Sequence, residues 1–256
     1  MISQDLHEAQ ETPSADYADE TFRSSRWLQY FQDNKRARAN MSFSSGLDVG
    51  AALRAPLIRS LQRFQIGETG EGLHLKRYAR KTRDPVYEQC IDMFVKEEQF
   101  HARVLADMIA ALDGTLLTWH WSDLVFILLR RMLGLKTEIF ILLVAEVIGK
   151  CFYRLCADNL SNDRLSDAFS LIVLDEIGHL EFHCAFLRSR LSEVSTPLRY
   201  AIYYAWTLIF YAGCFVFIAD HRKTLLALDG SPRKFLRQCS NTFHRAAARA
   251  LAVGED

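Results

Sequence analysis

The sequence predicts an all-α protein. Long segments repeat apolar residues with the 3.6-residue period of a helix, and the alternating pattern of a half-buried strand is absent. The 256 residues include only 5 prolines, so few positions force a helix to end. Half of the residues are hydrophobic and 12% are aromatic, which is enough apolar surface to bury a sizeable core.

The charge balance and the cysteine content restrict the class of protein that this sequence can encode. Lys plus Arg and Asp plus Glu each number 31, so the whole chain has no net charge to attract nucleic acid or an anionic membrane. The 6 cysteines form no Cys-x-x-Cys pair and lie mostly in apolar helical patterns, which favours reduced thiols over disulfides or a zinc site. The acidic N-terminus lacks the basic and apolar regions of a signal peptide, and we expect a cytoplasmic protein.

The chain is expected to begin with a mostly flexible segment over 1–45, which contains a short amphipathic helix around Trp27 and Phe31. A helical domain over 46–256 follows, with a bundle at about 56–192 and accessory helices at about 197–253. The six long helices predicted in it cover about 56–81, 84–113, 137–159, 161–192, 195–228 and 232–253. An apolar connector over 118–135 joins the second helix to the third.

Three of these helix starts have local signals. Pro56 is expected at the first helical position of the first helix, where a missing N–H costs little. Asp84 is expected to cap the second helix, with Pro85 after it, and the segment "SND" at 161–163 is expected to cap the fourth.

Polar residues interrupt the inward seams of the second and fourth helices. Steps of four and three residues define one seam, which consists of Tyr87, Ile91, Phe94, Glu98, His101, Leu105 and Met108. The same steps define the other, which consists of Leu165, Phe169, Ile172, Glu176, His179, His183 and Phe186. In each seam a Glu and a His lie one turn apart and point into the bundle. Unpaired, such groups cost several kcal/mol to bury, so they must have partners there.

The first and third helices supply two further carboxylates. Glu68 and Glu146 are separated by 78 residues, and so are Glu98 and Glu176, and His101 and His179. The two halves of the chain therefore carry the same set of Glu and His residues at a constant offset, as expected of a duplicated helical hairpin. Four inward carboxylates carry −4, which two divalent ions neutralise. A Glu from each of two helices and Glu-x-x-His from the other two is a ligand set for two iron or manganese ions, and its oxygen-rich character favours those metals over zinc or copper.

The motifs "KEEQFH" and "LDEIGH" resemble those of the ferritin-like di-iron carboxylate superfamily, in its oxygen-activating oxidase and oxygenase branch. The resemblance covers about 56–192 and implies a ferritin-like four-helix bundle with additional C-terminal helices. It also implies that Glu97 and Asp175, which precede the two motif glutamates, each hydrogen-bond the metal-bound histidine of the opposite hairpin. Alternatively, these two acids are solvated surface charges.

Several assignments stay open at this stage. Glu71 lies one turn beyond Glu68 and is its alternative as a ligand. His183 is either a third histidine ligand, as in some di-iron N-oxygenases, or a residue of the pocket wall. The glycines at 67, 70, 72, 149 and 178 either give close helix packing or leave space for dioxygen and substrate.

Residues 200–219 form an uncharged run of transmembrane length with eight aromatic residues. Because these aromatics are spread along the run, we expect a buried helix that covers the bundle, and a membrane-embedded helix is the alternative. The last helix is basic, which is typical of a solvated face or of a surface for an acidic carrier or an RNA.

We therefore expect a non-haem enzyme with two iron ions, or with one manganese and one iron, that uses dioxygen to hydroxylate, desaturate or N-oxygenate a small apolar or aromatic molecule. Its electrons are expected from an external reductase or ferredoxin-like donor, because the sequence has no cysteine quartet or dinucleotide motif. The alternatives are a tRNA-modifying di-iron hydroxylase, a ferritin-like ferroxidase and a metal-binding protein without turnover. A homodimer through the aromatic helix is also compatible with the pattern.

Overall fold

The polypeptide is helical through most of the residues that the computed structural model describes, which are 22–37, 43, 47–118, 135–228 and 230–253. Its helices are α1 (Ser24–Ala37), α2 (Ala51–Glu68), α3 (Leu73–Arg80), α4 (Pro85–Ala111), α5 (Leu135–Asn159), α6 (Asp163–Leu191), α7 (Thr196–Ala227) and α8 (Pro232–Leu251). Those ranges contain no β-strand, so the all-α prediction is confirmed. Most of the connector at 118–135 and most of the flexible segment expected at 1–45 lie outside the described residues.

Two antiparallel helix pairs form the central bundle. α2 packs along α4, α5 packs along α6, and the pairs meet where α4 contacts α6. Apolar side chains from all four helices lie in one continuous core, including Leu57, Leu61, Ile91, Leu105, Leu143 and Phe169. Since each helix has only one apolar stripe, the four stripes can be buried together only by facing a shared centre.

The accessory helices surround this bundle. α1 lies against α4, and its Trp27 and Phe31 pack edge-on against Phe182 of α6. α7 packs on α2 and α5, and α8 packs on α5 and α6 and against α7. The side chains of all six cysteines are buried as free thiols within these contacts.

The predicted starts of α4 and α6 are confirmed. The Asp84 carboxylate accepts hydrogen bonds from the backbone N–H groups of Val86 (2.9 Å) and Tyr87 (3.0 Å), and Pro85 occupies the first turn. The side chain of Asn162 accepts from the N–H of Leu165 at 3.2 Å. Both side chains satisfy helix N–H groups that have no partner within the helix.

The prediction of one helix from Pro56 to about residue 81 was wrong. α2 begins at Ala51, so Pro56 lies inside it, one turn from its start, where the missing N–H leaves only one early carbonyl unpaired. The helix ends at Glu68, and α3 begins after Gly72, whose φ of +61° is left-handed. Glycines at 67, 70 and 72 weaken the helix at this point, and the periodic pattern on either side concealed the break.

The expectation that 200–219 is a wholly buried helix was also wrong. One face of α7 is buried, through residues such as Trp206, Phe210 and Cys214. The opposite face exposes large apolar side chains, among them Tyr204, Leu208 and Phe215. α7 lies on the outside of the bundle, so neighbouring helices cover only the side that faces inward.

Candidate metal centre

α4 and α6 bring their Glu-x-x-His pairs to the middle of the bundle. Residues three apart lie on the same face of a helix, so Glu98 and His101 point towards α6, where Glu176 and His179 point back. Both imidazoles are completely buried, and Glu176 is buried with them. The side chain of Glu98 is 15% exposed, which makes it the member of these pairs nearest to solvent.

The polar atoms of these side chains lie at distances typical of a ligand cluster. The Nδ1 atom of His179 is 3.1 Å from an oxygen of Glu98 and 3.5 Å from an oxygen of Glu146. The Nδ1 atom of His101 is 3.5 Å from an oxygen of Glu176 and 3.7 Å from the same Glu98 oxygen. Glu98 therefore lies between the two imidazoles.

The six side chains form two overlapping groups of potential ligands. One group contains Glu98, Glu146, Glu176 and His179, and the other contains Glu68, Glu98 and His101. Within each group the ligand atoms lie within 4.8 Å of one another. Glu98 belongs to both groups, which is the position required of a carboxylate that bridges two metal ions.

Several buried atoms of the cluster have no hydrogen-bond partner. They are one oxygen each of Glu98 and Glu146 and the Nδ1 atoms of His101 and His179. Buried polar atoms are paired in the great majority of cases, and leaving one unpaired costs about 1–3 kcal/mol. The orphaned atoms are all lone-pair donors that face one point, so the residues fit a pair of divalent metal ions.

The other nitrogen of each imidazole binds a carboxylate. The Nε2 atom of His101 is 2.9 Å from Asp175, and the Nε2 atom of His179 is 2.9 Å from Glu97. Each bond crosses from one hairpin to the other, as the resemblance implied, and both acids are buried rather than solvated. A carboxylate accepts a hydrogen bond and cannot donate one when ionised, so Nε2 carries the proton and Nδ1 keeps its lone pair free for a metal.

Asn34 of α1 joins the two carboxylates and was not found from the sequence. Its Nδ2 atom donates to Glu97 at 2.9 Å and to Asp175 at 2.7 Å. The partners are 63 and 141 residues away in the chain, and a single polar residue on a short helix gives no local signal of such a role.

Burial and mutual repulsion raise the proton affinity of three cluster carboxylates. Burial, followed by the charge of Glu98, raises the pKa of Glu68 well above its usual value. Burial and the charge of Glu146 likewise raise the pKa of Glu98 and, to well above its usual value, that of Glu176. Without metal ions, therefore, the cluster holds protons at positions where cations would otherwise lie.

Glu146 and His179 are shifted so as to favour their charged forms. Burial would raise the pKa of Glu146, but the neighbouring Glu176 and His179 side chains lower it to about 2. Burial would lower the pKa of His179, but the surrounding carboxylates of Glu146, Glu97 and Glu98 raise it well above its usual value. The metal-free cluster is thus partly neutralised by an imidazolium, and a metal ion bound at Nδ1 would replace that proton.

Tyr153 is a second residue that the sequence did not indicate. Its buried hydroxyl donates a hydrogen bond to Glu68 at 3.0 Å, and its ring packs against Phe64 with 4.9 Å between centroids. Burial, followed by the charges of Glu68 and Glu176, raises the pKa of Tyr153 well above its usual value. Tyr153 follows Glu146 and Gly149 on the same inward seam of α5, a position at which the sequence pattern indicates only a core aromatic residue.

The structure also places the two residues whose roles were open. Glu71 is exposed in the turn after α2, whereas Glu68 lies with Glu98 and His101. His183 is buried one turn beyond His179, with its ring edge-on to Phe94 at 4.8 Å. His183 belongs to neither ligand group and lies in the wall beside the cluster.

The glycines near the cluster differ in what surrounds them. A side chain at Gly67 or Gly70 would meet nothing within 4 Å, so these two border open space. At Gly178 the Tyr30 phenol occupies the position that a Cβ would take. Gly178 therefore serves close packing of α1. Gly67 and Gly70 are exposed at the end of α2, and the space for dioxygen and substrate stays a prediction.

A groove of about 660 Å³ lies outside the cluster, between α1 and α4. Its lining includes the cationic residues Lys35, Arg36, Lys96 and Arg103 and the apolar residues Met93 and Phe100. Glu97 also lines the groove, so a single carboxylate separates it from the His179 imidazole.

Comparisons with known proteins agree with this fold. A scan against protein-family models found no match, and a search of curated proteins also found none. Among solved structures, the chain is similar to a protein described as protein 19 with aldehyde deformylating oxidase activity from Synechococcus, with a TM-score of 0.60 and 18% sequence identity. The likeness covers 80% of this chain and 94% of that one, and it shows that the fold is the ferritin-like bundle predicted from the sequence.

Proposed function

We propose that this chain is a di-iron oxidase or oxygenase that uses dioxygen to oxidise a small apolar or aromatic organic molecule. The observation that carries the proposal is the cluster of four glutamates and two histidines, in which both Nδ1 atoms and one oxygen each of Glu98 and Glu146 lack hydrogen-bond partners. The oxidase activity of the structural neighbour supports the same class of reaction.

In this proposal two iron ions are held by the two ligand groups. Glu68 and His101 would hold one ion. The other ion would be held by Glu146, Glu176 and His179, and Glu98 would contribute to both. Two divalent ions balance the charge of the four ligand carboxylates when both imidazoles are neutral. Reduced iron would supply the binding and reduction of dioxygen, which side chains alone cannot perform.

The chain's own groups hold the ligands and keep water away. Asp175 and Glu97 fix the orientation and tautomer of the two imidazoles through bonds of 2.9 Å. The Tyr153 hydroxyl donates a hydrogen bond to one oxygen of Glu68 and so fixes that carboxylate. Phe94 packs edge-on against His179, which excludes solvent from the side of the cluster that faces α4.

Electrons are proposed to come from an external, acidic carrier protein. The groove between α1 and α4 has four cationic side chains on its lining, which suit an acidic surface. The hydrogen bond that His179 donates to Glu97 connects the cluster with that groove. For the substrate, the activity of the structural neighbour makes aldehydes the first class to test, before hydroxylation, desaturation and N-oxygenation substrates.

The decisive experiment compares Glu68→Gln with Glu71→Gln. Anaerobic titration of the metal-free protein with Fe(II) should give two ions per chain for the natural protein and for Glu71→Gln. Glu68→Gln should bind one ion tightly and the second at least about tenfold more weakly, because a neutral amide replaces a charged ligand. Oxygen uptake with a chemical reductant should fall in parallel.

The competing functions predict different outcomes. A ferroxidase would mineralise many irons per chain, a tRNA hydroxylase would co-purify with RNA, and a metal-binding protein would take up no oxygen. If Glu71→Gln lost the second iron and Glu68→Gln kept it, the ligand assignment would be wrong. If neither variant changed iron binding, the cluster would not be the metal centre.

A further inference from the structure

α7 exposes a long apolar face. Only 17% of its most apolar 18-residue stretch is buried. The large exposed side chains are Leu198, Tyr200, Tyr204, Leu208, Ile209, Phe215, Val216 and Leu226. Leu208 is 74% exposed and Phe215 is 62% exposed, and the spacing from Tyr204 to Val216 places them on one side of the helix. Contiguous apolar surface of this kind marks an interaction site.

This helix does not leave the bundle to cross a membrane. Its length and composition would allow it to span a bilayer, but its inner face is fixed by polar contacts. The Trp206 indole donates to the carbonyl of Phe140 at 2.9 Å, and the Thr224 hydroxyl donates to the carbonyl of Pro56 at 2.8 Å. His221 bonds to Ser60 at 2.8 Å. A spanning helix would break all of these contacts, so α7 lies along the surface of the protein.

The charges around this face are almost all positive. No charged residue occurs between 200 and 219, and the exposed charges that follow on α7 are Arg222 and Lys223. The one acid of α7, Asp220, is bound to Arg63 at 2.7 Å. α8 contains no acid, and its exposed cations are Arg233, Lys234, Arg237, Arg245 and Arg249, of which Arg249 lies 3.7 Å from Glu181 of α6.

The basic face of α8 runs beside the apolar face of α7. The two helices are in contact, and the phenol of Tyr203 bonds to His244 at 2.8 Å. Tyr211 bonds to Ser240, also at 2.8 Å. An apolar stripe and a row of cations therefore lie side by side on the outside of the bundle.

A second copy of the chain fits this surface poorly. In a two-fold symmetric dimer that pairs the α7 helices antiparallel, the two basic α8 helices would face each other. In a parallel pair, Arg222 and Lys223 of one copy would lie beside the same residues of the other. Both arrangements bring like charges together, which is unfavourable at an interface.

We propose that the α7–α8 surface binds the face of an anionic lipid bilayer. α7 lies parallel to the membrane with Leu208 and Phe215 in the headgroup and acyl boundary, and the cations of α8 contact lipid phosphates. An apolar face combined with neighbouring basic residues is the arrangement by which helices bind at the membrane interface. Exposed tyrosines such as Tyr204 suit this boundary, because they present an apolar ring and a polar hydroxyl.

The register of α7 on α2 places this surface at the level of the cluster. Ser60 faces His221, and Phe64 packs on Phe217 with 5.7 Å between centroids. One further turn along these antiparallel helices places Gly213 level with Glu68.

The test is flotation of the purified full-length chain with lipid vesicles. The natural protein should float with vesicles of phosphatidylcholine and phosphatidylglycerol and much less with phosphatidylcholine alone. The double variant Leu208→Glu, Phe215→Glu should lower the bound fraction at least about tenfold, since it places two charges in the apolar boundary. The matched control is Leu73→Glu on α3, where the leucine is 66% exposed, and it should bind as the natural protein does.

A second variant, Arg237→Gln with Arg245→Gln, should remove the preference for anionic vesicles and the sensitivity of binding to salt. Circular dichroism melts establish that each variant is folded, and Leu208→Gln replaces the double variant if that one is not. The proposal is overturned if the natural protein does not bind anionic vesicles, or if Leu73→Glu loses as much binding as the double variant. It is also overturned if the natural protein is a dimer that Leu208→Gln dissociates without a change in flotation. Iron content does not enter the measurement, so either proposal can fail alone.

Discussion

Asn34 is the residue on which both halves of the candidate centre depend. Its amide nitrogen has two hydrogens, and it gives one to Glu97 and one to Asp175. Those carboxylates in turn hold His179 and His101. A single side chain on α1 therefore helps to fix the orientation of both imidazoles through the carboxylates that bind them.

Replacing Asn34 by leucine should destabilise the metal-free protein by about 2 kcal/mol, because two buried carboxylates each lose a hydrogen bond and one such bond contributes about 1 kcal/mol. The measurement is urea unfolding monitored by circular dichroism. Gln32→Leu on the same helix is the control, since Gln32 lines the outer groove, and it should change stability by less than about 0.5 kcal/mol. Equal effects of the two variants would mean that the amide bridge contributes nothing of its own.

Among the helices, the break between α2 and α3 matters most to the site. It lets α2 stop at Glu68, so that this carboxylate lies at a helix end with open space beside Gly67 and Gly70. A continuous helix would extend side chains over that opening. Gly72 makes the break, since its φ of +61° suits glycine and few other residues.

Gly72→Ala should destabilise the protein by about 2 kcal/mol or more. An alanine there would adopt a left-handed conformation, which costs about 1–2 kcal/mol, and its Cβ would lie 2.5 Å from a methyl group of Val95. Val95 is β-branched and cannot rotate away easily. Gly70→Ala is the control, because its Cβ would meet nothing within 4 Å. Thermal unfolding of both variants tests the account, which fails if Gly70→Ala is the more harmful change.

At the scale of the whole molecule, the cluster couples folding to pH. The pKa values of Glu68 and Glu176 are raised well above their usual range, first by burial, and that of His179 is raised by its hydrogen bonds. A group with a raised folded-state pKa stabilises the fold fully below its unfolded pKa and loses this contribution as pH rises through the folded value. Glu146, with a pKa of about 2, acts oppositely and loses its contribution only in strong acid.

The metal-free protein should therefore become less stable as pH rises from about 5 to about 8, with a loss of each 1 kcal/mol lowering the melting temperature by roughly 2–4 °C. With metal bound the trend should reverse over the same range, because protons compete with the cations for the same atoms. Calorimetric melts with and without metal measure both slopes. A metal-free melting temperature that increased with pH would contradict the expected protonation of Glu68 and Glu176. Glu176→Gln should flatten the metal-free slope.

The sequence alone was sufficient to predict that the six cluster residues lie close together. Glu98 and His101, like Glu176 and His179, lie three residues apart on periodic apolar seams, and the constant offset of 78 residues relates them to Glu68 and Glu146. This worked because helical geometry is local and regular, so the spacing alone decides which residues share a face. The same regularity gave the all-α class and the starts of α4 and α6.

Contacts between distant parts of the chain were decided only by the tertiary structure. The Asn34 bridge joins residues 63 and 141 positions apart, and Tyr153 reaches Glu68 across 85. Whether α7 is covered on one side or on all sides depends on how many helices surround it. An apolar composition is compatible with both arrangements, so the sequence does not distinguish them. A periodic pattern records which face of a helix is apolar, but the fold determines what that face meets, because packing partners are chosen by the whole arrangement of helices in space.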